Sequence, residues 1–266
     1  MADLPDVSIV LATHNRAACL PRAIASALAQ GDVRLELIVV DDASTDGTPA
    51  YLASLADPRI RVIRAEHNLG PSGARNLGVE AARAGIVAFI DSDDAYRPGR
   101  LAAPLAAFAR EPELVCVLSS AVKFDRAEPR QARIPAVKLA PPAFEWALIA
   151  DLIPVEATSI TVRRAPALAV GGFCEKLRLT EDREFLIRLA RKGAGRLLPD
   201  LLWEKSWVHD SLSNQWAAAG RGLVAYVNER PEYLGRYRKL GSYLATKVLV
   251  GHLRNRAPFA FARDLV

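Results

Sequence analysis

At 266 residues, 51% of them hydrophobic and 24% charged, the chain can bury a sizeable core, which excludes a disordered protein and leaves one large domain, or one domain with an appendage. A net charge of +5 and a pI near 9.3 suit an anionic ligand such as a nucleoside diphosphate or an acidic membrane surface. The arginines are scattered and no lysine-rich block occurs, which speaks against nucleic acid.

Cys19, Cys116 and Cys174 are odd in number and far apart, so reduced thiols in a reducing compartment are expected. The acidic amino terminus has no charged n-region or apolar h-region and predicts no secretory signal. No apolar stretch reaches the roughly twenty residues of a membrane span; the stretch 244–253 is broken by Lys247 and His252. A soluble, cytoplasmic protein is expected.

Residues 7–11 read as a first buried strand, and Ala12, Thr13, His14 and Asn15 leave its carboxyl end before a helix over 17–29 that stops at Gly31. A second strand, 35–40, runs into the acidic turn Asp41, Asp42, Ala43, Ser44 and on to a helix over 49–55. A third strand at 60–65 leads through a loop over 66–73 to a helix over 74–83. Residues 86–90 are an uninterrupted apolar run that ends in Asp91, Asp93 and Asp94, as expected for a strand buried on both faces. Strands alternating with helical patterns predict parallel βαβ units, whose right-handed crossovers place the strand-end loops on one rim. Open α/β sheets bind their ligands there.

Three carboxylates at one strand end repel each other unless something positive lies between them. A hard cation such as Mg2+ or Mn2+ answers this, bound through one or two carboxylates and shared with a substrate's phosphates. An acidic turn, with Asp93 or Asp94 capping a helix before Pro98, answers it equally well. Asp42 can accept a hydrogen bond from a base or a ribose, or it can form an Asx turn with Ser44. Arg75 can grip a phosphate, or it can lie on a solvated helix face.

Beyond the acidic run come a helix over 99–110 and a strand at 114–119. The proline-rich stretch 121–154 reads as edge strands, a loop over the rim and a short helix at 143–150, and acceptor specificity is expected there. A strand at 158–163 and a turn at Gly171, Gly172 and Phe173 precede an amphipathic helix that ends near Gly193. Thr180 is its expected N-cap, Glu181 and Asp182 lie in its first turn, and Phe185, Leu186 and Leu189 face inward. Residues 197–208 hold a further strand or two, with His209 following toward the rim. Residues 215–266 read as basic helices packed on the main domain, with membrane-surface or oligomer contact as alternatives.

From residue 7 to about residue 214 the chain resembles the family 2 nucleotide-sugar glycosyltransferases of the GT-A fold. The resemblance is carried by Val-Ser-Ile-Val-Leu-Ala-Thr-His-Asn-Arg from 7, Ile-Val-Val-Asp-Asp-Ala-Ser-Thr-Asp-Gly-Thr from 38 and Gly-Pro-Ser-Gly-Ala-Arg-Asn-Leu-Gly from 70. Phe-Ile-Asp-Ser-Asp-Asp from 89, Gly-Gly-Phe from 171, Thr-Glu-Asp-Arg-Glu-Phe-Leu-Ile-Arg-Leu-Ala from 180 and His-Asp-Ser-Leu-Ser from 209 complete it.

The resemblance implies an α/β fold: a Rossmann-like αβα sandwich with a mixed, mostly parallel sheet. Residues 1–214 would form the transferase domain, split into a nucleotide-binding half, 1–120, and an acceptor and catalytic-base half, 121–214. Residues 215–266 would be a helical extension. It implies that Asp42 contacts the base, that Ala12, His14 and Arg75 border the nucleotide, and that Asp91, Asp93 and Asp94 form the DXD element. Asp94 would hold Mn2+ or Mg2+, with Asp93 reaching the metal and the ribose or sugar, and His209 the metal or diphosphate. Asp182 would be the catalytic base, with Asn15, Asp91 and Glu181 in support.

The implied reaction is inverting transfer from a nucleoside-diphosphate sugar, UDP-sugar favoured, to a hydroxyl of a saccharide or glycolipid acceptor in polysaccharide or glycoconjugate synthesis. Peripheral contact with the inner face of the membrane and a homodimer stay open. There are departures: His14 stands where many relatives carry Tyr, and no Gln-x-x-Arg-Trp element occurs, which argues against a processive synthase. Two other readings are an inactive nucleotide-sugar-binding module and a DxD phosphatase. The phosphatase pattern wants Thr or Val where Ala95 stands.

Overall fold

A computed structural model of the protein describes residues 4–206, apart from 32, 126, 127 and 178, together with residue 229. His209 and the expected helical extension, save for that one residue, therefore lie outside the described residues.

Strands β1 (Val7–Thr13), β2 (Leu35–Asp41), β3 (Ile60–Arg64) and β4 (Ile86–Asp91) run parallel in the order β3-β2-β1-β4. Side chains alternate across the pleat. Val7, Ile9 and Leu11 pack on α1 (Leu20–Leu28) and α2 (Thr48–Ala53), while Val10 packs on the opposite face with α3 (Gly70–Ala81). Both faces are covered, which is why these strands are apolar without interruption. Helix α3 sits close on β1 because Gly78 permits it: a Cβ there would lie 2.3 Å from Val10 Cγ1.

Beyond β4 the sheet becomes mixed. β9 (Ile160–Arg163) runs antiparallel to β4 and to β6 (Leu114–Asp125), and β6 runs parallel to the bulged β10 (Ala194–Lys205). β10 pairs antiparallel with the short β5 (Asp94–Tyr96) and with β8 (Val137–Leu139), and β7 (Glu128–Ala132) pairs with β6. Helix α4 (Ala102–Arg110) covers Leu114 and Val117. Helices α5 (Pro141–Ile149), α6 (Arg164–Ala169) and α7 (Glu181–Ala190) complete the layer that holds α3. Phe173 meets Phe89 edge-on at 5.2 Å and stacks on Phe185 at 4.3 Å, fixing α7 against the sheet.

The αβα sandwich with a mixed sheet is as expected, and Phe185, Leu186 and Leu189 are fully buried. Several boundaries differ. Helix α3 begins at Gly70, because the Asp42 carboxylate accepts the backbone N–H groups of Leu69 at 2.6 Å and Gly70 at 2.9 Å. That cap comes from another strand, and local sequence does not show it. Helix α1 begins at Leu20, after a turn in which Cys19 N donates to Arg16 O. The acidic run enters β5 and does not cap a helix before Pro98. The strand expected at 114–119 continues to Asp125 by pairing with β7.

Candidate active site

The register of the parallel strands sets the rim: Thr13 stands opposite Asp41, and Ala12 opposite Asp91. At this rim opens a cleft of about 670 Å³ lined by Ala12, His14, Asp42, Arg75, Asp91, Asp93, Asp94, Glu181 and Asp182, among others. Asn15, expected in support of the site, is not in its wall, and His209 lies outside the described residues. Residues more than a hundred positions apart thus share one mouth.

Asn15 shapes the rim from behind. Its φ of 53° is left-handed, a conformation that Asn tolerates. Its Oδ1 accepts the backbone N–H of Thr45 at 2.8 Å, joining the β1 and β2 loops. The His14 ring is held at both nitrogens: Nδ1–H donates to Asp42 O at 2.6 Å and Nε2 accepts from Asn15 Nδ2 at 3.1 Å, a tautomer assigned from this network. The Asx turn belongs to Asp41, whose Oδ1 accepts from Ser44 N at 3.0 Å; Asp42 instead caps α3.

Arg75 is not on a solvated face. Nearly buried, it donates to Asp91 Oδ1 at 2.8 Å and Glu181 Oε1 at 2.7 Å, with Phe173 under its guanidinium. Burial disfavours the charge, yet the two carboxylates outweigh that and hold Arg75 firmly protonated. The arginine therefore serves as a strut between β4 and α7, its fork already engaged at the cleft wall.

Asp94 is 3% exposed and accepts the Thr158 hydroxyl at Oδ2, 2.5 Å away. Burial, then Asp91 and Asp93, push its pKa well up; burial and Asp91 also raise that of Asp93. Lys205, opposite Asp94 in the β5–β10 ladder, lines the cleft. Burial alone would depress it, but Glu156, Asp94, Asp91 and Asp93 together raise it. Crowded carboxylates are the kind of oxygen donor that a hard divalent cation takes, and the cation would relieve their mutual repulsion. Among the described residues, no three His, Cys, Asp or Glu side chains converge tightly enough to cage a metal by themselves. The arrangement fits an ion that takes one or two carboxylates and completes its shell from a bound phosphate.

Helix α7 opens without the expected cap: Thr180 has a φ of 65° and its hydroxyl turns to Leu179 O. Of the three acids in the first turn, Glu181 is tied to Arg75 and Glu184 to Arg188 at 2.6 Å. Among the described residues, Asp182 has no such arginine. Its Oδ1 accepts only the backbone N–H of Arg183 at 2.7 Å among the described residues. Burial, reinforced by Glu181 and opposed by Arg183 and Arg75, raises its pKa to about 7. A carboxylate poised near neutrality at a cleft wall can take a proton from a hydroxyl.

Sequence reasoning missed Lys205, Arg16, Glu156, Asp151 and Arg183, which also line the cleft. Lys205 carried one signal, a cation at the end of an expected strand. Arg16, Glu156 and Asp151 sit on loops whose path only the fold decides, and Arg183 lies in the first turn of α7. Non-glycine residues with left-handed backbone, Asn15, Ala43, Asp151 and Thr180, all lie in or beside the cleft wall, as strained backbone tends to at functional sites.

The sequence model of the family described as Glycosyl transferase family 2 matches residues 8–169. Succinoglycan biosynthesis protein ExoO of Rhizobium meliloti is 53% identical over 98 residues, 37% of this chain and 28% of that relative. The match thus spans little more than a quarter of that protein's length. S. aureus TarS 1-349 in complex with UDP-GlcNAc superposes with a TM-score of 0.67 at 20% identity, covering 94% of this chain and 73% of that one. The mannosyltransferase PcManGT from Pyrobaculum calidifontis, in complex with GDP-Man and Mn2+, gives 0.67 at 20% identity over 99% and 74%. These structures share the GT-A fold with this chain. No helix among the described residues is long and apolar enough to cross a membrane.

Proposed function

Because the chain belongs to glycosyl transferase family 2, we propose that it is an inverting glycosyltransferase moving a sugar from a nucleoside-diphosphate sugar to an acceptor hydroxyl in polysaccharide or glycoconjugate synthesis. One observation carries this reading: Asp182, its pKa near 7, lines the same cleft as the Asp91, Asp93 and Asp94 cluster. The nucleotide sugars bound by TarS and PcManGT, and the biosynthetic name of ExoO, support it.

In this reading the base and ribose of the donor, UDP-sugar favoured, lie along Ala12, His14 and Asp42. The two Asp42 oxygens that cap α3 keep lone pairs for the base, and Arg75 props the wall beneath the diphosphate. Mn2+ or Mg2+ on Asp94 and Asp93, with His209 as a further candidate ligand, would act as a Lewis acid and template for the leaving diphosphate. Asp182 accepts the acceptor's hydroxyl proton as that oxygen attacks the anomeric carbon, and the bond from that carbon to the diphosphate oxygen breaks. The acceptor, a saccharide or glycolipid, approaches along Asp151, Glu156, Leu179 and Thr180. Residues 121–214 form the acceptor half.

A panel of nucleotide sugars read by thermal shift, with and without Mn2+, tests this, since a ligand that binds only the native form raises the melting point. UDP-sugars should raise it more than GDP-sugars, with Mn2+ present, and slow hydrolysis should release UDP. Phosphate release from a phosphomonoester, with no response to any nucleotide sugar, would contradict it.

A further inference from the structure

Behind the acidic cluster lies Arg100, fully buried and, among the described residues, bonded to no carboxylate. A buried charge without a counter-ion is costly. Among the described residues, all of its side-chain hydrogen bonds go to one short stretch before and within β9. Nε and Nη2 donate to Thr158 O at 3.2 and 2.7 Å, Nη2 also to Ile160 O at 3.1 Å, and Nη1 to Thr161 Oγ1 at 2.8 Å. The guanidinium also lies over the Tyr96 ring, 4.9 Å from its centre. Tyr96 ends β5, the strand that Asp94 begins. Arg100 therefore holds Thr158 by its carbonyl and the Asp94 strand by its aromatic face.

Thr158 completes the connection. Its hydroxyl accepts the Asp91 backbone N–H at 3.0 Å and donates to Asp94 Oδ2 at 2.5 Å. With a lone pair taken by Asp91, the hydroxyl hydrogen is directed at Asp94. A carboxylate tied at Oδ2 presents Oδ1 to the cleft that Asp94 lines. We propose that Arg100 and Thr158 are positioning residues for Asp94, fixing its carboxylate from behind so that its other oxygen is set for a divalent cation. This rests on the metal role given to Asp94 above. Groups that orient a ligand side chain in this way shift metal affinity by about 10- to 100-fold when removed.

The test is Mn2+ titration by electron paramagnetic resonance on the full chain, with and without UDP, circular dichroism confirming the fold of each variant. Thr158→Val, which keeps shape and loses the hydroxyl, should weaken Mn2+ binding by about tenfold or more, and Thr158→Ser should restore it. Arg100→Lys cannot reproduce the planar set of bonds and should weaken Mn2+ binding similarly. The double variant should lose less than the sum of the two single losses, because residues that act largely through one shared contact are not additive.

Wild-type affinity in Thr158→Val, wild-type affinity in Arg100→Lys, or losses that add in the double variant would each overturn the proposal. If Arg100→Lys does not fold, Arg100→Gln is read in its place, and failure of both to fold makes Arg100 a core residue and overturns its part. A wild-type protein that binds no Mn2+ in either condition overturns the metal reading itself, and this inference with it.

Discussion

Arg75 reaches from α3 to Glu181, the neighbour of Asp182, and holds its carboxylate at 2.7 Å while also holding Asp91 at 2.8 Å. One side chain thus ties the acidic strand end to the helix that presents the candidate base. Removing one partner of a buried ion pair costs about 3–5 kcal/mol. The Asp91 side chain is 35% exposed, so solvent screening places Arg75→Met toward the low end, about 3 kcal/mol. Urea unfolding of Arg75→Met against wild type measures it, and a loss below about 1 kcal/mol, typical of a surface pair, would show that the strut carries little.

Activity should follow the ionisation of Asp182. Its pKa is raised to about 7, so below that pH it is protonated and cannot accept a proton. Turnover should therefore rise with pH through about 7 and fall about tenfold per unit on the acid side. A pH–rate profile at saturating donor checks this. A plateau reaching down to pH 5 would mean that another group takes the proton.

The same residue makes a stability prediction of opposite sign. Folding raises the Asp182 pKa from an ordinary 3.8 to about 7, so between those values the folded state binds more protons than the unfolded state and stability falls with rising pH. Asp182→Asn removes the buried charge and should raise the melting temperature, by more at pH 8 than at pH 5. Calorimetry at both values is the check, and a gain independent of pH would detach the effect from ionisation.

Chelation should silence transfer. EDTA is expected to lower turnover by about a hundredfold or more, as when several kcal/mol of charge stabilisation is withdrawn, and added Mn2+ should restore it. Asp94→Asn should not respond to Mn2+. Full turnover in EDTA would assign the diphosphate to Lys205 and the other cleft cations.

The parallel half of the fold was legible because strands covered on both faces must be apolar throughout, and the acids ending 86–90 lie at the rim by register with β1. Convergence of Asp91, Asp93, Asp94 and Asp182 on one cleft followed from parallel topology and from the resemblance. What stayed hidden depends on contacts between distant segments. Asp42 caps a helix 28 residues later, Arg75 is paired with Glu181 106 residues away, and Thr158 orients an aspartate 64 residues before it. None of these partners leaves a periodic or local trace. Thr180 shows the reverse case, a residue with good N-cap chemistry whose left-handed backbone turns the hydroxyl away.

The most direct test compares Asp182→Asn with wild type for donor affinity and for sugar transfer, using the nucleotide sugar that raises the melting temperature most and an acceptor saccharide. A variant that binds the donor as wild type does but has lost transfer by about a hundredfold or more is the result predicted. A variant that still transfers, or one whose donor affinity collapses, contradicts the division of labour between the two acidic walls of the cleft.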